Sequence, residues 1–248
     1  MAHYGLIGYP LGHSFSKKYF ADKFKQENIT DAAYNNYPID DIGKLKDIID
    51  SDKELIGLNV TIPYKQQVMP MLDHINEIAK EVGAVNTIRI NRKNNTYNLE
   101  GFNTDVYGFL HSLKPHLTDR HKKALILGTG GASRAVAYVF QQLHIDFKYV
   151  SRHPKGNAIG YQDIDSETMQ KHTIIVNTTP LGTYPEVNTC PDIPFEHLTA
   201  HHLLYDLVYN PEETMFLRKG RMKNAVGING LQMLQLQAEK SWEIWNEK

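Results

Sequence analysis

Along the first third of the chain, short β-branched apolar runs alternate with stretches whose apolar residues recur every three or four positions. Tyr4 to Tyr9 reads as a strand ended by Pro10 and Gly12. Ser16 to Glu27 carries Tyr19, Phe20 and Phe24 at helical spacing, with Ser16 placed to cap the helix. Ala33 to Ile39 is strand-like, and Asp41 to Ile49 gathers Ile42, Leu45, Ile48 and Ile49 on one helical side. Leu55 to Ile62 is a further strand, stopped by Pro63, and Ile75 to Val82 a short helix. Val85 to Ile90 and Thr96 to Leu99 flank Asn94-Asn95, a credible hairpin turn.

A second cycle begins near Asp105. A helix bearing Val106, Phe109, Leu110 and Leu113 leads into a buried-type strand, Lys122 to Gly128, and then a helix from Ser133 to Leu143. Phe147 to Val150, Ile174 to Asn177, Leu203 to Leu207 and Asn224 to Gly227 supply more strands, and Leu231 to Trp245 is again amphipathic. Strands alternating with helices predict an α/β chain built on a parallel, doubly wound sheet. No repeat or long linker interrupts it, so the join near residue 105 reads as a tight hinge.

Bulk properties narrow the function. The 248 residues suit one large domain or two modest ones. With 41% hydrophobic and 22% charged residues, the chain can bury an ordinary globular core. A formal net charge of -1 gives no global case for nucleic acid or an anionic membrane. No apolar run is long enough to span a bilayer, and the first residues lack the layout of a signal peptide. Cys190 is the single cysteine, which excludes an intramolecular disulfide and a thiolate metal cluster, and its polar surroundings predict a passive thiol. The histidines show no paired ligand spacing, so no metal is expected. The expectation is a cytoplasmic protein acting on a small molecule.

Gly128-Thr129-Gly130-Gly131-Ala132-Ser133 follows a strand and opens a helix. Glycines there let the backbone approach a pyrophosphate, and the helix N-terminus aims N–H groups at it. A glycine run alone is weak evidence; its setting makes a Rossmann-type dinucleotide unit the preferred reading. After the next strand, an NAD site would carry an acidic residue for the ribose hydroxyl. Here stand Ser151, Arg152 and then Lys155, whose positive charge suits the 2′-phosphate of NADP. The bland alternative is a solvated basic loop.

Four polar segments lie at strand ends of the first unit, where such folds place ligands. They are Gly12-His13-Ser14-Phe15-Ser16, Asn59-Val60-Thr61-Ile62-Pro63-Tyr64-Lys65, Gly83-Ala84-Val85-Asn86-Thr87 and Gly101-Phe102-Asn103-Thr104-Asp105. Singly each has a structural explanation: Ser14 and Ser16 as caps, Asn86 as a turn residue, Lys65 as a solvated lysine, Asp105 as an N-cap.

Together, and in this order, they resemble the shikimate dehydrogenase family. The shared segments are S-x-S, N-V-T-I-P-x-K, G-A-V-N-T, G-x-N-T-D, the G-x-G-G-A-S-R loop and the final G-x-x-M-L-x-x-Q-A. The resemblance covers nearly the whole chain. It implies NADP-dependent reduction of 3-dehydroshikimate to shikimate, on the route to chorismate and the aromatic amino acids, by a monomer or homodimer. It also implies that residues 1–105, with helix 230–248 packing back, bind substrate, and that 106–229 bind NADP across a cleft. Ser14 and Ser16 would hold the substrate carboxylate. Asn59, Thr61, Asn86 and Gln237 would bind the rest of the substrate, with Tyr209 close by, and Lys65 and Asp105 would form the catalytic pair. Gly128, Thr129, Gly130, Gly131, Ala132, Ser151, Arg152, Lys155, Leu207 and Gly230 would contact the cofactor. Ser151-Arg152-His153 departs from the family's frequent Asn-Arg-Thr, and the chain is short for the family.

The chemistry is coherent without the label. Hydride reaching a ketone carbon builds negative charge on oxygen, which a positioned ammonium can stabilise and protonate. Rival readings are a quinate/shikimate dehydrogenase of broader specificity and a non-catalytic shikimate-binding regulatory homologue. Retention of Lys65 and Asp105 argues against the latter. A folate dehydrogenase of similar layout fits Ser14, Ser16 and G-A-V-N-T poorly.

Overall fold

A computed structural model describes residues 1–11, 15–94 and 96–247. The chain divides into two compact units, Met1–Thr104 with Gln237–Lys248, and Asp105–Leu236.

In the first unit the elements run β1 (Ala2–Gly8), α1 (Phe15–Gln26), β2 (Ala32–Pro38), α2 (Leu45–Ser51), β3 (Leu55–Val60), α3 (Tyr64–Gln67), β4 (His74–Ile75), α4 (Glu77–Val82), β5 (Thr87–Lys93) and β6 (Thr96–Phe102). The sheet order is β2-β1-β3-β5-β6-β4. β1 lies parallel to β2 and β3, whereas β5 is antiparallel to both β3 and β6. The sheet is therefore mixed, parallel across its first three strands and where β4 joins β6, and antiparallel around β5, as the hairpin expected at Asn94-Asn95 requires. Helical crossovers α1 and α2 connect the first three strands, but a tight hairpin can only reverse the chain. Asn94 takes the left-handed conformation such turns demand, with φ 55°; its neighbour Asn95 lies outside the described residues. The helix expected from Ile75 begins at Glu77 instead. Asn76 caps it by accepting from Ile78 N–H, while His74–Ile75 pairs with β6.

The second unit runs α5 (Asp105–Leu113), β7 (Lys123–Leu127), α6 (Gly131–Gln142), β8 (Asp146–Val150), α7 (Ser166–Lys171), β9 (Ile174–Asn177), β10 (Leu203–Asp206), α8 (Met215–Arg221) and β11 (Val226–Ile228). Its five strands are all parallel, in the order β11-β10-β9-β7-β8. The order reverses at β7, which makes the carboxyl ends of β7 and its neighbours the ligand-binding edge of such a sheet. Sequence periodicity misses α7 and α8 for separate reasons. α7 buries only Met169, and α8 contains Gly220, where a Cβ would meet Leu204 Cδ2 at 2.5 Å.

The last helix, α9 (Leu231–Asn246), begins in the second unit and ends in the first. Its final turns seat on the first sheet. Trp245 lies over Gly57, where a Cβ would fall 2.5 Å from the indole, and its Nε1 donates to Ile88 O at 2.9 Å. Tyr4, Phe20, Phe24 and Tyr34 complete an aromatic cluster with Trp245. Buried Lys23 of α1 ties the same helix by pairing with Glu239 at 2.8 Å as well as Glu27. On the opposite face of the sheet, Leu45 and Ile49 of α2 pack with Ile7, Leu58 and Ile88. No helix among the described residues is long and apolar enough to cross a membrane.

Two turns entering parallel strands share one device. Thr118 N–H donates to His121 Nδ1 ahead of β7, and Thr199 N–H donates to His202 Nδ1 ahead of β10, both at 3.0 Å. Burial holds His121 below its ordinary value of 6.5. The unfolded chain therefore binds a proton there as pH falls through 6.5, before the folded chain does, and stability drops with pH across that window. His121→Asn retains an acceptor for Thr118 but cannot titrate. Its urea midpoint should fall less between pH 7.5 and 5.5 than that of the unsubstituted protein; equal falls would show that His121 does not contribute.

Candidate active site

Three of the polar segments, 59–65, 83–87 and 101–105, meet at one end of the first unit's sheet. Asn59 and Thr87 are register partners across β3 and β5. Val60 N–H donates to Asn86 O at 2.8 Å, and Val85 N–H to Lys65 O at 2.7 Å. Thr61 N–H donates to Ile7 O at 2.9 Å, so the start of α3 is tied to both neighbouring strands. Tyr64 anchors that short helix by burying its ring and donating to Ile39 O at 2.6 Å. Lys65 is thereby held, half-buried, with its backbone one hydrogen bond from the residue before Asn86.

Behind this edge lies a cluster of polar side chains that water scarcely reaches. Asn59, Asn86, Thr87, Thr104, Gln237 and Ser241 are all buried. Asn86 Oδ1 accepts from Thr104 N–H at 2.7 Å and from the Thr87 and Thr104 hydroxyls, both at 3.2 Å. Its amide nitrogen donates to Thr104 Oγ1 at 3.0 Å and to Gln237 Oε1 at 3.4 Å. Asn103 Nδ2 reaches Ala84 O at 2.9 Å, joining two of the segments again. Such mutual bonding offsets the cost of removing these groups from water.

Several expected site residues thus come together: Thr61, Lys65, Asn86 and Gln237, with Asn59 behind them. Ser14 lies outside the described residues. Ser16 does not cap α1, which begins one residue earlier. It sits in the first turn, and its hydroxyl bonds the phenol of Tyr34, whose pKa burial drives upward. Asp105 is buried at the N-terminus of α5, next in the chain after Thr104. Sequence reasoning passed over Tyr34, Thr87, Thr104 and Ser241. The two threonines stand inside quoted motifs, and Ser241 lies one helical turn from Gln237, which was the available signal.

In the second unit, the loop after β7 has the geometry its glycines predict. Gly128 has φ 106°, and a Cβ there would approach Thr178 Oγ1 to 2.9 Å. Gly130 is the N-cap of α6, provides no side-chain cap, and has nothing within 4 Å of where a Cβ would stand. That open approach to a helix N-terminus, with no acidic residue in its first turn, fits the pyrophosphate of a dinucleotide. Ser133 replaces the usual small residue without harm, since its buried hydroxyl donates to Gly130 O at 2.7 Å. Leu127 pairs with Val150, so Ser151 follows at the same edge, with Arg152 and Lys155 exposed beyond it.

Further along that edge, Gly230 N–H donates to Val208 O at 3.1 Å, and a Cβ on Gly230 would sit 2.1 Å from Leu207 O. Only glycine permits this approach. Tyr209 is half-buried, which raises its phenol pKa. Asp206 is fully buried and accepts from Thr214 Oγ1 at 2.6 Å, Asn177 Nδ2 at 2.9 Å and Val208 N–H at 3.0 Å. Burial pushes its carboxyl up to about 6 even against those three donors. The sequence reading gave Asp206, Asn177 and Thr214 no role; they fix the start of the segment that carries Leu207 and Tyr209.

Known proteins resemble this chain over its whole length. The shikimate dehydrogenase substrate binding domain family matches residues 6–88. A shikimate dehydrogenase (NADP(+)) of Clostridium beijerinckii is 40% identical, with 100% of this chain and 93% of the relative covered. The chorismate mutase/shikimate 5-dehydrogenase fusion protein of Clostridium acetobutylicum superposes with a TM-score of 0.87 at 38% identity, covering 99% of this chain and 91% of that one. The shikimate 5-dehydrogenase of Thermus thermophilus, solved with NADP(H) and shikimate, gives 0.85 at 27% identity, covering 99% and 94%. Identity of 40% over the whole chain places it in the shikimate dehydrogenase family.

Proposed function

We propose that the protein is an NADP-dependent shikimate dehydrogenase, interconverting 3-dehydroshikimate and shikimate. The first unit holds the substrate and the second the cofactor. The observation that carries the reading is the lock between Lys65 and the Asn86 segment through Val85 N–H, which brings a half-buried lysine and two buried amides to one sheet end. The chemistry needs a cation near a carbonyl and hydrogen-bonding groups for ring hydroxyls, and this edge offers both.

NADPH, when bound, supplies the hydride for the ketone carbon. Lys65 donates a proton to the oxygen on which charge accumulates, so the ketone becomes an alcohol with one hydride and one proton added. In the reverse direction the neutral amine accepts that proton. Asp105 orients the lysine and bonds a ring hydroxyl. Asn86, Thr61 and Gln237 fix the ring, Ser14 and Ser16 the carboxylate, and Tyr209 lies beside the substrate. Residues Gly128 to Ala132 carry the pyrophosphate, Ser151, Arg152 and Lys155 the 2′-phosphate, and Leu207 and Gly230 the remainder of the cofactor. The lone Cys190 fits a reducing compartment, and the reading places the enzyme in the cytoplasm.

Lys65→Met should lower turnover by roughly 10²–10⁴-fold, the span of a positioned general acid or base. Shikimate affinity by calorimetry should change far less, because the amides remain. Near-normal turnover in the folded variant would remove Lys65 from the chemistry. Arg152→Asp should weaken NADP by roughly 10- to 100-fold, the worth of one hydrogen bond to a charged group, and NAD little. Equal losses for both dinucleotides would show that Arg152 does not read the 2′-phosphate.

A further inference from the structure

Gln237 and Asn86 can recognise ring hydroxyls only if their carboxamides are held in one orientation, and one hydroxyl sits where all the elements that hold them converge. Ser241 is 0% exposed and one turn beyond Gln237 on α9. Its Oγ donates to Gln237 O at 2.9 Å and lies 2.9 Å from Asn59 Nδ2, 2.8 Å from Thr87 Oγ1 and 3.2 Å from Thr104 Oγ1. These partners belong to α9, β3, β5 and the end of the β6 segment. A serine hydroxyl has one proton and two lone pairs, so with the proton on Gln237 O one lone pair takes Asn59 Nδ2 and the other is open to one threonine hydroxyl, whichever does not give its single proton to Asn86 Oδ1.

Asn59 continues the chain inward. Its Oδ1 accepts the Tyr34 phenol at 2.8 Å, and its Nδ2 donates to Ser241. Tyr34 in turn bonds Ser16 and stacks on Phe20 with ring centroids 4.5 Å apart. A buried hydrogen-bonded path therefore runs Ser16, Tyr34, Asn59, Ser241 and Gln237. Its last link is to the main-chain carbonyl of Gln237, and Thr87 and Thr104, both within bonding distance of Ser241, carry it on to the Asn86 and Gln237 carboxamides. Both ends of the Asn59 amide are engaged inside the protein.

We infer that Ser241 is a positioning residue for substrate recognition, setting the carboxamides of Gln237 and Asn86, and that Asn59 belongs with it rather than among the groups that touch substrate. The inference rests on the shikimate dehydrogenase reading. Ser241→Ala removes the nearest acceptor of Asn59 Nδ2, leaving it only the longer contacts to Thr87 Oγ1 at 3.3 Å and Asn86 O at 3.4 Å, and forces the threonine hydroxyls to compete for Asn86 Oδ1. The neighbouring amides then turn to find others.

The test is calorimetry of shikimate and, separately, of NADP with the full-length protein. Ser241→Ala should weaken shikimate by roughly 5- to 100-fold, the range for stranding a buried polar group, with NADP unchanged. In a Gln237→Ala background the same change should cost less than it does alone, since one of the two carboxamides that Ser241 sets is then gone. Should Ser241→Ala not fold, Ser241→Cys keeps a weak donor of similar size and should show an intermediate loss. Wild-type shikimate affinity in a folded Ser241→Ala protein, or an undiminished loss in the Gln237→Ala background, would overturn the positioning role alone. Failure of the unsubstituted protein to bind shikimate would overturn both this role and the functional reading.

Discussion

A polar side chain taken out of water must find its partners inside the protein, and the first unit is organised around meeting that demand at one end of its sheet. Asn59, Asn86, Thr87, Thr104, Gln237 and Ser241 come from separate strands and from the last helix, yet they bond chiefly to one another. Removing any of them would leave a neighbour stranded, so the set fixes the register of β3 against β5 and the seat of α9 together. Trp245 and Gly57 complete that seat from the apolar side. Under the proposed function, this edge has its amides oriented before the substrate arrives, which spares part of the ordering cost of binding.

The second unit solves a different problem with backbone rather than side chains. Its parallel sheet presents the ends of β7, β8, β9 and β10 at one edge. Close backbone approach is needed at Gly128 and at Gly230, and empty space at Gly130. Asp206 is a fully buried carboxyl there, held by Thr214, Asn177 and a backbone N–H, and it sets the path of the following loop. A carboxyl near 6 in such a place is tolerated because all its acceptors are engaged.

Much of this was legible in the sequence. The strand–glycine–helix signature of residues 123–142 and the long apolar periodicities of α1, α6 and α9 translated directly into structure. The antiparallel β5–β6 arm was half legible. Asn94-Asn95 announced a hairpin, but the hairpin's consequence for the whole sheet was not drawn. Helices α7 and α8 were missed for different reasons, the first because six residues burying only Met169 show no period, the second because its seven residues are interrupted by Gly220. Motifs singled out Lys65 and Asn86, which the fold brings to one sheet end, but no pattern in one sequence shows that Thr87 bonds Ser241 across 154 residues of chain. The cap assigned to Ser16 failed for a related reason: a tyrosine from β2 claims its hydroxyl. Local rules see neighbours in sequence, and those bonds are tertiary.

The central claim is catalytic, and initial rates on the purified protein test it most directly. Shikimate and quinate are each offered with NADP and with NAD, and reduction of the dinucleotide is followed. The account predicts substantial turnover with shikimate and NADP, and much lower kcat/KM for the other three pairings. No turnover with any pairing would contradict it, and a preference for quinate or for NAD would contradict the substrate or cofactor assignment respectively.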